Sequence, residues 1–213
     1  MTPSSARALL PEPPSRAYAM GMPVLQQVEW TAAQAIALPP DGNRYEVLDG
    51  ELFVTPAPTW AHQAVIEELF PRLKAYVAER GLGWAKLSPA DLVFSPRRLV
   101  QPDIFVVPAR EAGAPSGWND VTSLLLAVEV LSPSTARADR HRKRLIYQEQ
   151  GVAEYWIVDT SARLVERWRP ADSRPEQIVE TLVWQPDPTV AGLRVELPAF
   201  FRAVHDEAAR PGD

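Results

Sequence analysis

Leu124-Leu125-Leu126-Ala127-Val128-Glu129-Val130-Leu131 is the stretch that decides the fold. So apolar a run, stopped by Ser132-Pro133-Ser134-Thr135, reads as a buried strand. Its one charge, Glu129, requires a partner, because burying an unpaired ionised carboxylate costs several kcal/mol even after relaxation. A metal ion or a fixed cation is the compensation this implies.

Upstream, Leu99-Val100-Gln101-Pro102-Asp103-Ile104-Phe105-Val106-Val107 reads as a second short buried strand with Asp103 at its entrance. Pro102 cannot donate to a sheet ladder and belongs at the start of a strand, which leaves Asp103 where its side chain can reach a cleft. Two acids on two apolar strands point to one shared site. The alternative is that Asp103 only terminates a loop, since Pro-Asp pairs are common in turns.

Downstream, Ala136 to Gln150 has helical composition. Asp139, Lys143 and Tyr147 recur at i, i+4 and i+8 and line one side, with Leu145 and Ile146 turned toward a core. Arg137, Arg140, His141, Arg142 and Arg144 add a basic cluster to a chain of net charge −5, either a distinct surface or simply a solvated helix face.

With 213 residues, 46% of them hydrophobic, the chain fits one compact domain with a substantial core. The proline-rich, aperiodic head 1–22 reads as disordered, 23–207 as a single domain and 208–213 as a loose tail. No apolar stretch approaches the ~20 residues of a membrane span, and the first residues lack the apolar core of a secretory signal, so a cytoplasmic location is expected. The absence of cysteine excludes disulfides and thiolate metal sites, and three histidines (His62, His141, His205) argue against a multi-histidine zinc site. Any metal is therefore hard and oxygen-bound, Mg²⁺ or Mn²⁺. No internal repeat is visible.

Thr31 caps a short helix predicted over Ala32 to Leu38, followed by a hairpin in which Tyr45–Leu48 and Glu51–Val54 flank Asp49-Gly50. A helix from Trp60 to Arg80 carries Val65, Leu69, Leu73 and Val77 on one face, with Pro71 inside it. Trp84–Leu87, Asp91–Phe94 and Ile104–Val107 follow as a predicted meander, and Pro108 to Val121 as a surface loop whose Trp118 can fold back. After the Glu129 strand and the Lys143 helix comes the strand Glu154–Val158. Leu164–Trp168, Gln177–Trp184 and Leu193–Leu197 read as antiparallel strands of an added sheet or extension.

Four local signatures then stand in order: Arg44-Tyr45-Glu46-Val47-Leu48-Asp49-Gly50-Glu51 with His62 after it, Gln101-Pro102-Asp103, Val128-Glu129-Val130-Leu131-Ser132-Pro133-Ser134, and Asp139, Lys143 and Tyr147 followed by Gly151-Val152-Ala153-Glu154-Tyr155-Trp156. From about Trp30 to Arg169 the chain resembles the PD-(D/E)XK nuclease superfamily, and more closely its Uma-type branch of restriction endonucleases. The resemblance implies an α/β, restriction-endonuclease-like core: a central mixed β-sheet flanked by helices, with an N-terminal hairpin and an added C-terminal antiparallel extension. It further implies that Asp103 and Glu129, with Val130 beside them, hold Mg²⁺ or Mn²⁺. The usual lysine, two residues after the second acid, is replaced here by Leu131. Related branches supply the cation from the next helix, which makes Lys143 the counterpart. Glu46 and His62 resemble further polar positions around the family's cleft; from the residues alone a surface hairpin role for Glu46 stands beside this, and for His62, a helix-entry histidine with no recognisable partner, capping or packing is the first reading ahead of proton transfer or substrate contact.

The chemistry so implied is hydrolysis of phosphodiester bonds in DNA, by a homodimer whose apolar C-terminal strands could form the interface. Phosphodiester hydrolysis needs a deprotonated water and compensation for charge on the phosphoryl oxygens, and a carboxylate-held metal meets both needs. The competing readings are a catalytically inactive or repurposed binding module, favoured by Leu131 and the acidic net charge, and a small-molecule hydrolase using the same cleft. Tyr147, Tyr155 and Trp156 read as core, and Ser132 and Ser134 as strand terminators and helix caps, with no nucleophile elbow around them.

Overall fold

The computed structural model describes residues 29–55 and 57–209; the expected head 1–22 and residues 210–213 of the expected tail lie outside these. Thr31 and Gln34 cap helix α1 (Ala32–Ile36) reciprocally. Asp49 and Gly50 take φ of 54° and 88°, the conformation in which a two-residue turn follows strand twist, and close β1 (Arg44–Leu48) on β2 (Glu51–Thr55). Helix α2 (Trp60–Glu79) then buries Val65, Leu69, Leu73 and Val77 as its spacing predicts.

The strands that follow depart from a meander. β3 (Gly83–Leu87) pairs with β6 (Ile104–Pro108), while β4 (Leu92–Ser95) and β5 (Arg98–Val100) leave to join the hairpin in a four-stranded sheet of order β2-β1-β5-β4. The run Leu99 to Val107 is thus two strands in two sheets. Pro102 has no N–H, and the Gln101 N–H goes to the Glu46 carboxylate at 2.8 Å, so the ladder breaks there and Asp103 stands at the junction.

The main sheet has the order β10-β9-β8-β7-β6-β3, with β7 (Leu126–Val130), β8 (Glu154–Asp159), β9 (Leu164–Trp168) and β10 (Glu176–Ile178). Only β7 and β8 run parallel in it; the other pairs are antiparallel. Their crossover is α3 (Ala136–Ala138), a π turn (Asp139–Lys143) and α4 (Arg144–Glu149). Alternation splits the core in two. Ile104, Val106, Val128, Val130, Trp156 and Val158 face α2, whereas Phe105, Ala127, Tyr155 and Ile157 face Ile146, Tyr147 and the smaller sheet. Each large apolar side chain fully buried in these layers contributes about 1.5–3 kcal/mol.

Two expectations change. Leu145 is left 46% exposed while Ile146 and Tyr147 are buried, because Asp139, Lys143, Ile146 and Tyr147 stand at i, i+4, i+7 and i+8 on one helix stripe and Leu145 lies off it. At the C-terminus, β9 and β10 extend the main sheet, β11 (Thr181–Trp184) pairs with β12 (Leu193–Glu196), and a helix, α5 (Leu197–Ala209), follows. Leu182, Trp184 and Val195 are buried together with Leu197, Phe200, Phe201 and Val204 in the α2 layer, so the apolar side of these strands is used within the chain and is not available to a partner copy. Trp118 does fold back, edge-on to Phe105 at 5.8 Å. Among the described residues no helix is long and apolar enough to cross a membrane.

Candidate active site

Ile104 pairs with Val128 across the β6–β7 ladder, and the next step of that register sets Asp103 opposite Glu129. Opposed residues of an antiparallel pair point to the same face. The two acids therefore enter one cleft, where β6 and β7 end and the two sheets meet. Both are almost completely buried.

Asp103 is saturated with donors. Its Oδ1 accepts from Arg44 Nη1 at 2.6 Å, and its Oδ2 accepts from the Val130 N–H at 2.8 Å and lies 2.9 Å from His62 Nε2. Burial alone would raise its pKa, but the hydrogen bond and charge of His62, with Arg44 and the Val130 N–H, outweigh it and hold the carboxyl at about 2. The His62 ring is placed by the first turn of α2, where Thr59 Oγ1 accepts the His62 N–H; its Nδ1 is buried without a hydrogen-bond partner.

Glu129 faces a different environment. Its Oε1 accepts from Lys143 Nζ at 3.1 Å and from the Tyr147 hydroxyl at 3.0 Å. Lys143 Nζ also lies 2.8 Å from Glu46 and 3.5 Å from Asp139. Burial pushes the Glu129 carboxyl well above the usual carboxylate range, and Asp103, Asp139 and Glu46 add to the push against Lys143. Burial disfavours the charged amine, yet Glu129, Glu46 and Asp139 together drive the Lys143 pKa well up, so it is a permanent cation. The π turn brings Asp139 and Lys143 inward together; π turns recur at functional sites.

The cleft is a cavity of about 180 Å³ between two loops, one carrying Ala57, Pro58 and Thr59, the other Ser132 to Thr135. Arg44, His62, Asp103, Glu129 and Lys143 form its floor. Ser132 and Thr135 tie the turn ahead of α3, each hydroxyl accepting the other's N–H at 3.3 Å, while the N-cap of α3 is Thr135 and not Ser132.

The structure sets the expected site residues in two hydrogen-bonded groups around one cleft, Asp103 with His62 and the Val130 N–H in one, and Glu129 and Glu46 joined through Lys143 in the other. Glu46 is buried and not on a hairpin surface. Two further members carried a readable sign. Arg44 is two residues before Glu46 and shares its strand face, and Tyr147 is one turn beyond Lys143. Among the described residues no three His, Cys, Asp or Glu side chains stand in metal-holding geometry. The donor set nevertheless fits a hard ion in kind: two carboxylates in one cleft, the remaining positions left to water and phosphate oxygens, is how Mg²⁺ is commonly held.

A mixed sheet with acids at the ends of adjacent strands and a cation from the crossover helix defines a restriction-endonuclease-like α/β protein. Among solved structures, this chain is similar to the crystal structure of "a putative nuclease belonging to DUF820" from Anabaena variabilis, with a TM-score of 0.66 and 20% identity over 82% of this chain and 98% of that one. A family model, Uma2, described as "Putative restriction endonuclease", matches residues 32–199, and the chain belongs to this nuclease family. No curated protein matches it.

Proposed function

We propose that the protein is a metal-dependent endonuclease that hydrolyses phosphodiester bonds of DNA, with Asp103 and Glu129 as the carboxylates that hold Mg²⁺ or Mn²⁺. The observation that carries this reading is their placement: Asp103 just ahead of β6 and Glu129 on β7, each one step beyond the Ile104–Val128 pair, both buried and lining one cleft with the Lys143 amine 3.1 Å from Glu129. Charge supports it as well. Four buried carboxyl groups (Glu46, Asp103, Glu129, Asp139) meet two permanent cations, Arg44 and Lys143, and one histidine, and burial pushes Glu129 and Asp139 up, a penalty on their ionised forms that a divalent ion would relieve.

A bound ion would supply compensation for charge on the phosphoryl oxygens and a more acidic neighbouring water. The chain's own groups orient and balance. Lys143, cationic and held by three carboxylates, fixes Glu129 and adds positive charge to the cleft; it does not abstract a proton. Tyr147 steadies the same Glu129 oxygen. His62 and the Val130 N–H fix Asp103, and His62 is the titratable group positioned to relay a proton.

A second reading, a repurposed nucleic-acid binding module, draws on the same contacts: Arg44, His62 and the Val130 N–H engage both oxygens of Asp103, and the Lys143 amine balances Glu129, so the chain's own groups already offset the two acids. The test is nicking of supercoiled plasmid in Mg²⁺ or Mn²⁺. The wild type nicks and Asp103→Ala and Glu129→Ala lose at least about a hundredfold in rate. A folded wild type inactive on several DNA forms would favour the binding module. We further propose a homodimer, in keeping with the cutting of two strands, but with an interface outside the C-terminal strands.

A further inference from the structure

Arg44 stands between the acids and solvent. It is the first residue of β1, follows the Asp41-Gly42-Asn43 turn, and is 21% exposed on its side chain where it lines the cleft. Its guanidinium is engaged through Nη1 alone, on Asp103 Oδ1 at 2.6 Å; among the described residues no hydrogen bond of Nε or Nη2 is present. The other cation of the cleft, Lys143, is buried among three carboxylates and cannot leave. Asp103 Oδ2 is likewise taken, by His62 and the Val130 N–H. Oδ1 is thus the Asp103 oxygen a metal ion would need, and Arg44 is what occupies it.

We propose that Arg44 is a phosphate-binding residue held in reserve on Asp103: it neutralises the carboxylate in the free protein, yields Oδ1 when a divalent ion enters, and turns its planar fork to a phosphodiester oxygen of the substrate. The inference rests on the metal-dependent reading above. Two physical facts favour the exchange. A guanidinium and a divalent ion compete for one oxygen, so the state with Arg44 docked is not competent for metal and lowers the apparent affinity by its population. A guanidinium with two unengaged nitrogens offers the bidentate geometry that phosphate accepts, which a lysine does not.

The test uses the full chain, wild type and Arg44→Ala, with Arg44→Gln as a shorter, neutral polar variant should the alanine protein fold poorly. Calorimetric titration with MnCl₂ and no nucleic acid is expected to show binding about tenfold tighter in the variants, because the competitor is gone. Titration of the Ca²⁺-loaded proteins with a short oligonucleotide is expected to show binding about tenfold weaker, because a charge-assisted contact is lost. Mn²⁺ affinity unchanged or weakened in both variants, with the wild type binding Mn²⁺, overturns the reserve role alone. Unchanged oligonucleotide affinity overturns phosphate binding by Arg44. No Mn²⁺ uptake by any of the folded proteins overturns the metal-dependent reading itself.

Discussion

Two acids that share a cleft are driven in opposite directions by their neighbours, Asp103 down to about 2 and Glu129 well up. The folded-state value of Asp103 lies below the 3.8 of an ordinary aspartate, so its ionised form stabilises the fold fully above that value, and the contribution is lost as pH falls toward 2. The unfolding free energy of the wild type minus that of Asp103→Asn should therefore shrink by about 2 kcal/mol between pH 5 and pH 2. Urea denaturation across that range measures it, and a constant difference would refute the assignment. At this scale much was legible in the sequence. Glu129 and Asp103 stand out because a charge within an apolar strand needs a partner, and Lys143 because its helical spacing from Asp139 is local. Arg44 and Tyr147 are harder: each acts by reaching an acid on another strand, and an aromatic on a buried helix face is indistinguishable from core until that acid is placed.

Among the elements, the crossover helix matters most, since its π turn sets both Asp139 and Lys143 inward and still buries Ile146 and Tyr147. At about 100° per residue these four, at i, i+4, i+7 and i+8, form one stripe, and the π turn lies within it between Asp139 and Lys143. Deleting His141, an exposed residue of this turn, should shorten the crossover by about 1.5 Å of helix rise and draw Lys143 off Glu129 and Glu46. The expected cost is about 3 kcal/mol of stability, as for breaking a buried ion pair, with plasmid nicking lost as well. Chemical denaturation with unchanged stability would show that the turn is incidental. Sequence periodicity predicts this helix as uninterrupted, since a π turn leaves no local mark in residue type. The split at Pro102 and helix α5 were within reach. A proline inside an apolar run breaks a ladder, and Leu197, Phe200, Phe201 and Val204 recur at helical spacing.

Across the whole molecule, two sheets meet at the point where one apolar run breaks, and the site occupies that seam. The hairpin sheet contributes Arg44 and Glu46, the main sheet Asp103 and Glu129, the crossover helix Lys143 and Tyr147, and α2 contributes His62. Membership of the Uma2 family and the fold shared with the Anabaena variabilis protein agree with this arrangement. The two central layers were legible because their alternation is written in β6, β7 and β8; the pairing of the smaller sheet was not, because it depends on contacts between distant segments. The account turns on a divalent ion bridging the acids. Crystals soaked in MnCl₂, with anomalous difference density recorded at the manganese edge, test this directly. One peak within coordination distance of an oxygen of Asp103 and an oxygen of Glu129, with Arg44 displaced from Asp103, is the predicted result. Density without such a peak, and Arg44, His62 and Lys143 still on the carboxylates, would contradict it.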